Sequence, residues 1–114
     1  MTKYGFRISK LSLVTVVFLA MAPHGGHAQQ ATKSSVAGKA LAQRYCIECH
    51  AVVPGTKGGW TDAPDFSAIA NRPQTTPAKL SLFIQQPHMH MLNTGRPARE
   101  ADQISAYIIS LRHR

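Results

Sequence analysis

The sequence has few cysteines, few acidic residues and no long apolar run. Its two cysteines, Cys46 and Cys49, are too close together for a disulfide between them to restrict much of the unfolded chain. Five acidic residues stand against thirteen lysines and arginines, which gives a formal net charge of +8. Residues 11–22 are apolar overall, but these twelve residues fall short of the ~18 that a membrane span requires. We therefore expect neither a disulfide-stabilised scaffold nor a stable membrane span.

Residues 1–28 have the three parts of a secretory signal peptide. Lys3, Arg7 and Lys10 precede the apolar run, and Gly-His-Ala at 26–28 supplies small residues for cleavage. The sequence therefore predicts a signal peptide over residues 1–28 and a mature domain over residues 29–114 that is exported to the periplasm. An uncleaved membrane anchor is the alternative, which the short apolar run disfavours.

The mature domain is small and moderately basic. Residues 29–114 carry ten lysines and arginines and five acidic residues, a net charge of +5. This charge favours electrostatic steering toward an acidic protein partner, whereas export and the absence of an arginine-rich run argue against a nucleic-acid partner. A domain of this length buries only roughly 60–65% of the surface that its unfolded chain exposes. Its core is therefore marginal and needs the support of a metal or a cofactor.

The most specific motif is Cys46-Ile47-Glu48-Cys49-His50, the C-x-x-C-H signature of covalent haem attachment. Thiols three positions apart lie on one side of a helical turn, where both can add to the vinyl groups of one porphyrin, and His50 follows as an iron ligand. A thioredoxin-like dithiol would need flanking β-α-β patterns, and a structural zinc site would need a second ligand pair. The sequence has neither pattern, which favours haem.

The sequence resembles the small single-haem class I cytochromes c. The resemblance rests on GKALAQRYCIECHAV, on a methionine before a polar segment, and on EADQISAYIISLR near the end of the chain. It implies an all-α fold of three to five helices joined by loops around one covalently bound haem c. It also implies electron transport between redox partner proteins. The protein would then be an electron carrier and not an enzyme, either free or as one subunit of a redox complex.

The resemblance also implies the second axial ligand. Members of this family often have a Met-Pro pair sixteen residues before a tyrosine of the last helix. Met91 stands at that distance from Tyr107, with Leu92 in the place of the usual proline. The remaining donors of the segment QPHMHML are Met89, His88 and His90. An extended backbone would turn the two sulfurs to one side and the two imidazoles to the other, so these alternatives stay open on the residues alone.

Two residues are candidates for supporting contacts around the haem. In the resembled family the carbonyl of a loop proline often accepts a hydrogen bond from the axial histidine, and Pro64 is the candidate for His50. Trp60, the single tryptophan, either reaches a haem propionate through its indole N–H or packs in the core. The basic residues that are candidates for docking a partner at the haem edge are Lys39, Arg44, Lys57, Lys79, Arg96 and Arg99.

Cap signals and apolar spacing predict the helices. The first should begin at Ser34 or Ser35, after a loose terminus over residues 29–33, with an apolar stripe of Val36, Ala40 and Leu41. Short helices should follow Asp65 as N-cap and Thr76 as N-cap with Pro77 in the first turn. In the second of these, Leu80, Phe83 and Ile84 should share a face.

The last helix should begin near Pro97 and bury the face formed by Ala101, Ile104, Ile108 and Leu111. Gly38 stands eight residues before Cys46. In the resembled family a glycine at that position lets the last helix cross the first at close range.

Two other functions compete with electron transfer. The His-Met-His-Met segment at 88–91 could bind copper in the periplasm, because thioether and imidazole both suit that metal. That function would leave the C-x-x-C-H motif unexplained. A haem sensor or enzyme with a labile distal ligand is the second alternative, and it draws support from Leu92 in the place of proline.

Overall fold

The part of the chain that the structure describes folds into four helices joined by loops. The computed structural model describes residues 26–59, 62–88 and 95–113. The helices are α1 (Gly26–Tyr45), α2 (Phe66–Asn71), α3 (Pro77–Ile84) and α4 (Ala98–Ser110). The described residues contain no strand, and the expected all-α fold is confirmed. None of the helices in these ranges has the length and apolar character needed to cross a membrane.

α4 is the centre of the molecule, since it packs against each of the other three helices. Its Ala101, Ile104 and Ile108 are buried and Leu111 packs partly buried beside them, so the predicted face is confirmed. The core that forms around this face consists of Ala42, Val52, Phe66, Ala70, Ile104, Tyr107 and Ile108.

The crossing of α1 and α4 is very close at Gly38. A Cβ atom on this residue would overlap the backbone carbonyl of Gln103 and lie 3.0 Å from the nitrogen of Ile104. The close crossing expected at this glycine is therefore confirmed. Because backbone meets backbone there, the two helices have no room for a side chain between them.

The predicted stripe of α1 is wrong in part. Val36 is 68% exposed and Ala40 is also exposed, whereas Gly38 and Ala42 are buried and Leu41 is partly buried. The reason is the close crossing, which selects the smallest side chains for the contact with α4 and turns the larger Val36 outward.

The expected loose terminus at residues 29–33 is also wrong, because α1 already begins at Gly26. Residues 27–33 are exposed, so packing contributes little to this first part of the helix. Its alanines, glutamines and lysine are strong helix formers, and the helix extends through them from its packed half.

The caps of the two short helices are as predicted. The Asp65 carboxylate accepts a hydrogen bond from the backbone N–H of Ala68 at 2.5 Å. The Thr76 hydroxyl accepts one from Lys79 at 3.2 Å. Pro77 is the first residue of α3, where a missing N–H costs nothing. These caps fix where α2 and α3 begin.

The predicted face of α3 is right for Leu80 and Ile84, which pack against the core, and wrong for Phe83, which is 55% exposed. Ser81 is buried in its place. Its hydroxyl donates a hydrogen bond of 2.6 Å to the Asp102 carboxylate of α4. This bond orients α3 so that Ser81 faces α4 and Phe83 turns away from it.

One buried hydrogen bond joins α4 to the loop after α1. The Tyr107 hydroxyl donates to the Val52 carbonyl at 2.7 Å, and Tyr107 is 5% exposed. Burial raises the pKa of this hydroxyl, so it remains a donor at neutral pH. Val52 lies two residues after His50, and the bond therefore fixes the backbone that leaves the C-x-x-C-H motif.

Tyr107→Phe is expected to lower the free energy of unfolding by about 1–2 kcal/mol, because the buried Val52 carbonyl loses its donor. Thermal unfolding followed by far-ultraviolet circular dichroism should show a midpoint lower by about 5–10 °C. Tyr45→Phe is the matched control, because the Tyr45 hydroxyl has no hydrogen bond to any of the described residues and its ring contacts are kept. Equal midpoints for the two variants would contradict this role of Tyr107.

Candidate functional site

The C-x-x-C-H motif continues α1 by one helical turn. Cys46 donates its backbone N–H to the Ala42 carbonyl at 2.8 Å, and both Cys49 and His50 donate to the Cys46 carbonyl, at 3.2 and 2.9 Å. The turn brings both cysteines and His50 together, as the spacing predicted. Cys46 and Cys49 are not joined to each other by a disulfide.

The ring of His50 is held from one side by a backbone carbonyl. Its Nδ1 atom lies 2.7 Å from the Pro64 oxygen. Because a carbonyl oxygen only accepts, this contact puts the proton on Nδ1 and leaves the lone pair on Nε2. The buried ring of Phe66 lies against the imidazole, with 5.4 Å between the ring centroids. His50 is thus oriented with one ring nitrogen ready to ligate a metal.

Two glycines lie directly against the backbone of the motif. A Cβ atom on Gly59 would overlap the Glu48 carbonyl, and one on Gly58 would lie 2.8 Å from the Ala51 nitrogen. The Gly-Gly pair therefore lets the following loop pass across the turn at backbone distance. This pair was not among the predicted site residues, because adjacent glycines by themselves indicate only a turn or loop.

Gly59→Ala is expected to destabilise the protein by about 2 kcal/mol, because the loop must move away from the turn. The ratio of haem to protein in the purified product should fall with it. Gly55→Ala is the control, since Gly55 has a φ of 79° but no atom within 4 Å of its Cβ position. That variant is expected to cost about 1 kcal/mol and to keep a full haem content. A Gly59→Ala protein with wild-type stability and haem content would contradict the proposed contact.

The electrostatics of Cys46 argue against a redox dithiol. Burial raises the pKa of its thiol to about 11, with an opposing contribution from the Arg96 guanidinium and a further increase from Cys49. An attacking cysteine in disulfide exchange requires a lowered pKa, because the thiolate is the nucleophile. This thiol remains protonated at neutral pH, which does not suit disulfide exchange.

A cluster of charged and aromatic side chains adjoins the motif, and sequence reasoning did not find it as a cluster. The Arg96 guanidinium lies 4.0 Å from the centroid of the Tyr45 ring, and that of Arg44 lies 5.2 Å from it. Arg96 also forms an ion pair of 3.5 Å with Glu100, one turn along the chain. Tyr45 immediately precedes Cys46, so these charges lie beside the attachment turn.

Several predicted site residues lie outside the described residues. These are Trp60, Met89, His90 and Met91. His88 is described and is partly buried. Its Nδ1 lies 3.1 Å from the Gln86 oxygen, and its ring packs on Phe83 with 4.4 Å between centroids. No group of three or more His, Cys, Asp or Glu within the described ranges is arranged to hold a metal ion.

The residues of this turn fit a covalently attached haem. Two half-buried thiols on one helical turn provide the two attachment points. The imidazole that follows them has a protonated Nδ1 and an available Nε2, which is the arrangement that iron requires of a histidine ligand. This donor set suits haem better than structural zinc, which would need a fourth protein ligand.

Comparison with known proteins gives a match to a cytochrome c. The chain is 40% identical over 75 residues to cytochrome c-552 of Bradyrhizobium diazoefficiens, and the match covers 66% of this chain and 72% of that protein. No family model matches the chain, and no solved structure gives a significant match.

Proposed function

This chain belongs to the small c-type cytochromes, and from that membership we propose that it is a periplasmic electron-transfer protein with His/Met axial ligation. Proteins of this family bind haem c covalently and carry electrons between redox partners. When bound, the haem supplies a one-electron couple between Fe(III) and Fe(II). In our proposal Cys46 and Cys49 form the thioether bonds, and His50 and Met91 are the axial ligands.

The observation that carries this proposal is the turn itself, with two thiols and an oriented imidazole in five residues. The bond from Nδ1 to the Pro64 oxygen fixes the orientation of the ring and keeps Nε2 available as the metal-binding nitrogen. A thioether from Met91 would favour the ferrous state and raise the reduction potential. With both axial positions filled by protein, substrates have no access to the iron.

We propose that residues 1–28 direct export and are removed. Cleavage after Ala28 would remove only the first three residues of α1, and both His27 and Ala28 are exposed. The packed part of the helix, which begins near Gly38, would remain intact. N-terminal sequencing of the protein from the periplasm should begin at Gln29, and a sequence that begins at Met1 would support an uncleaved anchor.

An acidic docking partner is consistent with the distribution of charge. Five of the six basic docking candidates are exposed, namely Lys39, Arg44, Lys57, Lys79 and Arg99. Arg44 is next to Tyr45 and so lies closest in sequence to the attachment turn. The sixth candidate, Arg96, is partly buried and paired with Glu100, so we assign it a smaller share in docking.

Arg44→Glu is expected to slow oxidation of the ferrous protein by ferricyanide about threefold to tenfold at low ionic strength, because the anion loses electrostatic steering. The difference should shrink as salt is added. Arg72→Glu is the charge-matched control. Arg72 directly follows α2. The side chain of Asn71, the last residue of α2, accepts a hydrogen bond from the backbone of His113, just beyond the C-terminal end of α4. That end lies about 20 Å from the N-terminal end of α4, which is near Arg96. Equal rates for the two variants would contradict docking near Arg44.

The function is tested by redox titration together with carbon monoxide. We expect a reversible one-electron couple and no carbon monoxide binding to the ferrous wild type at neutral pH. Ready binding of carbon monoxide would overturn the closed His/Met site and support a sensor or enzyme. A colourless protein that contains copper would support the copper-binding alternative.

A further inference from the structure

The charge pair of Arg96 and Glu100 is placed to act on the attachment turn. The Arg96 guanidinium stacks on Tyr45, the residue before Cys46, at 4.0 Å from the ring centroid. The Glu100 carboxylate lies 3.5 Å from the Arg96 guanidinium. The two side chains are only 24% and 32% exposed. Arg96 is therefore better shielded from solvent than Arg44, the other basic residue that contacts Tyr45.

Several contacts fix the position of Arg96. Its backbone N–H donates to the Ile84 carbonyl at 3.4 Å. A Cβ atom on the preceding Gly95 would lie 3.2 Å from the Gln85 carbonyl, so the chain passes close to the end of α3. The guanidinium is therefore held between Tyr45 and Glu100 and does not move freely in solvent. A charge that is fixed and partly desolvated acts on its surroundings with less screening than an exposed one.

We propose that Arg96 and Glu100 tune the reduction potential of the haem, with Arg96 raising it and Glu100 lowering it. This inference rests on the proposed function, because it requires the haem to be attached at Cys46. Ferric iron carries one more positive charge than ferrous iron. A nearby cation therefore disfavours the ferric state, and a nearby carboxylate favours it. The iron gains one electron from a one-electron redox partner, and neither side chain changes its charge.

The ion pair means that the two effects largely cancel in the wild type. Over separations of about 10–20 Å and at an effective dielectric constant of about 20, one unit charge changes a redox equilibrium constant by roughly four- to fifteenfold. Solvent screening at these partly exposed sites reduces the change to about threefold. For a one-electron couple that factor corresponds to about 30 mV. Removing either charge exposes the effect of the other.

The test is the reduction potential of three variants, measured by spectroelectrochemistry on the haem-loaded protein. Arg96→Gln should lower the reduction potential by about 30 mV, which is about a threefold change in the redox equilibrium constant. Glu100→Gln should raise the potential by a similar amount. The double variant should lie between them. Arg72→Gln is the control for the loss of one exposed positive charge. Its smaller shift should disappear in high salt.

Opposite signs for the two single variants, with the far-red Fe(III)–sulfur band retained, would support the inference. Shifts of the same sign in the two single variants, or no shift in Glu100→Gln, would overturn it. If Arg96→Gln does not fold, the shift in Glu100→Gln alone decides. Intact mass separates this result from a failure of the proposed function. A protein without covalent haem overturns both, whereas a haem-loaded protein with unshifted potentials overturns only the tuning role.

Discussion

Met91→Ala is expected to abolish the far-red Fe(III)–sulfur charge-transfer band and to lower the reduction potential by on the order of 0.1 V or more, within the roughly 0.8 V that axial ligands span. The reason is that a soft, neutral sulfur favours Fe(II), and this variant removes the sulfur that we propose as the ligand. The ferrous variant should also bind carbon monoxide at neutral pH, because its distal position opens. Optical spectra and spectroelectrochemistry measure all three changes.

Met89→Ala is the matched control, since it removes the same side chain two residues earlier in the same segment. It should keep the band and the potential of the wild type. His88→Ala should keep them as well, because the His88 ring already contacts Phe83 and the Gln86 oxygen. A band that persists in Met91→Ala and vanishes in Met89→Ala would place the ligand two residues earlier.

Gly38→Ala is expected to destabilise the fold by about 3 kcal/mol or more, the largest effect that we expect from a single methyl group in this chain. The new Cβ would overlap the Gln103 carbonyl, so α1 and α4 must separate along their contact. Because this contact also sets the position of Cys46 at the end of α1, the yield of haem-loaded protein should fall. Chemical denaturation and haem content together measure the effect.

Val36→Ala is the companion variant on the same helix. Val36 is 68% exposed, and we expect its truncation to change the free energy of unfolding by less than about 0.5 kcal/mol. The opposite ranking, with Val36→Ala severe and Gly38→Ala mild, would restore the apolar stripe expected from spacing. It would contradict the close crossing of the two helices.

The local features of this fold were predictable, because each depends on a few neighbouring residues. Asp65 and Thr76 cap their helices, and Pro77 begins α3, through side-chain chemistry that acts over three residues. The C-x-x-C-H turn is equally local, since its geometry follows from helical spacing. The buried face of α4 was predicted because apolar spacing and burial agree there.

Contacts between distant residues were harder to predict. The position of Val36 depends on how closely α4 approaches Gly38, and that of Phe83 depends on the bond from Ser81 to Asp102. The stacking of Arg96 on Tyr45 joins residues that are far apart in the chain. A single sequence shows these residues as scattered charges and aromatic rings, so their association emerges only from the folded chain.

The central claim is that one haem is bonded to Cys46 and Cys49, and the mass of the intact protein tests it most directly. Protein purified from the periplasm and extracted with acid and acetone should have the mass of residues 29–114 plus one haem, with neither cysteine available for alkylation. The Cys46→Ala/Cys49→Ala variant should lack the added mass. A functional wild-type protein with the mass of the polypeptide alone and two alkylated thiols would contradict the account.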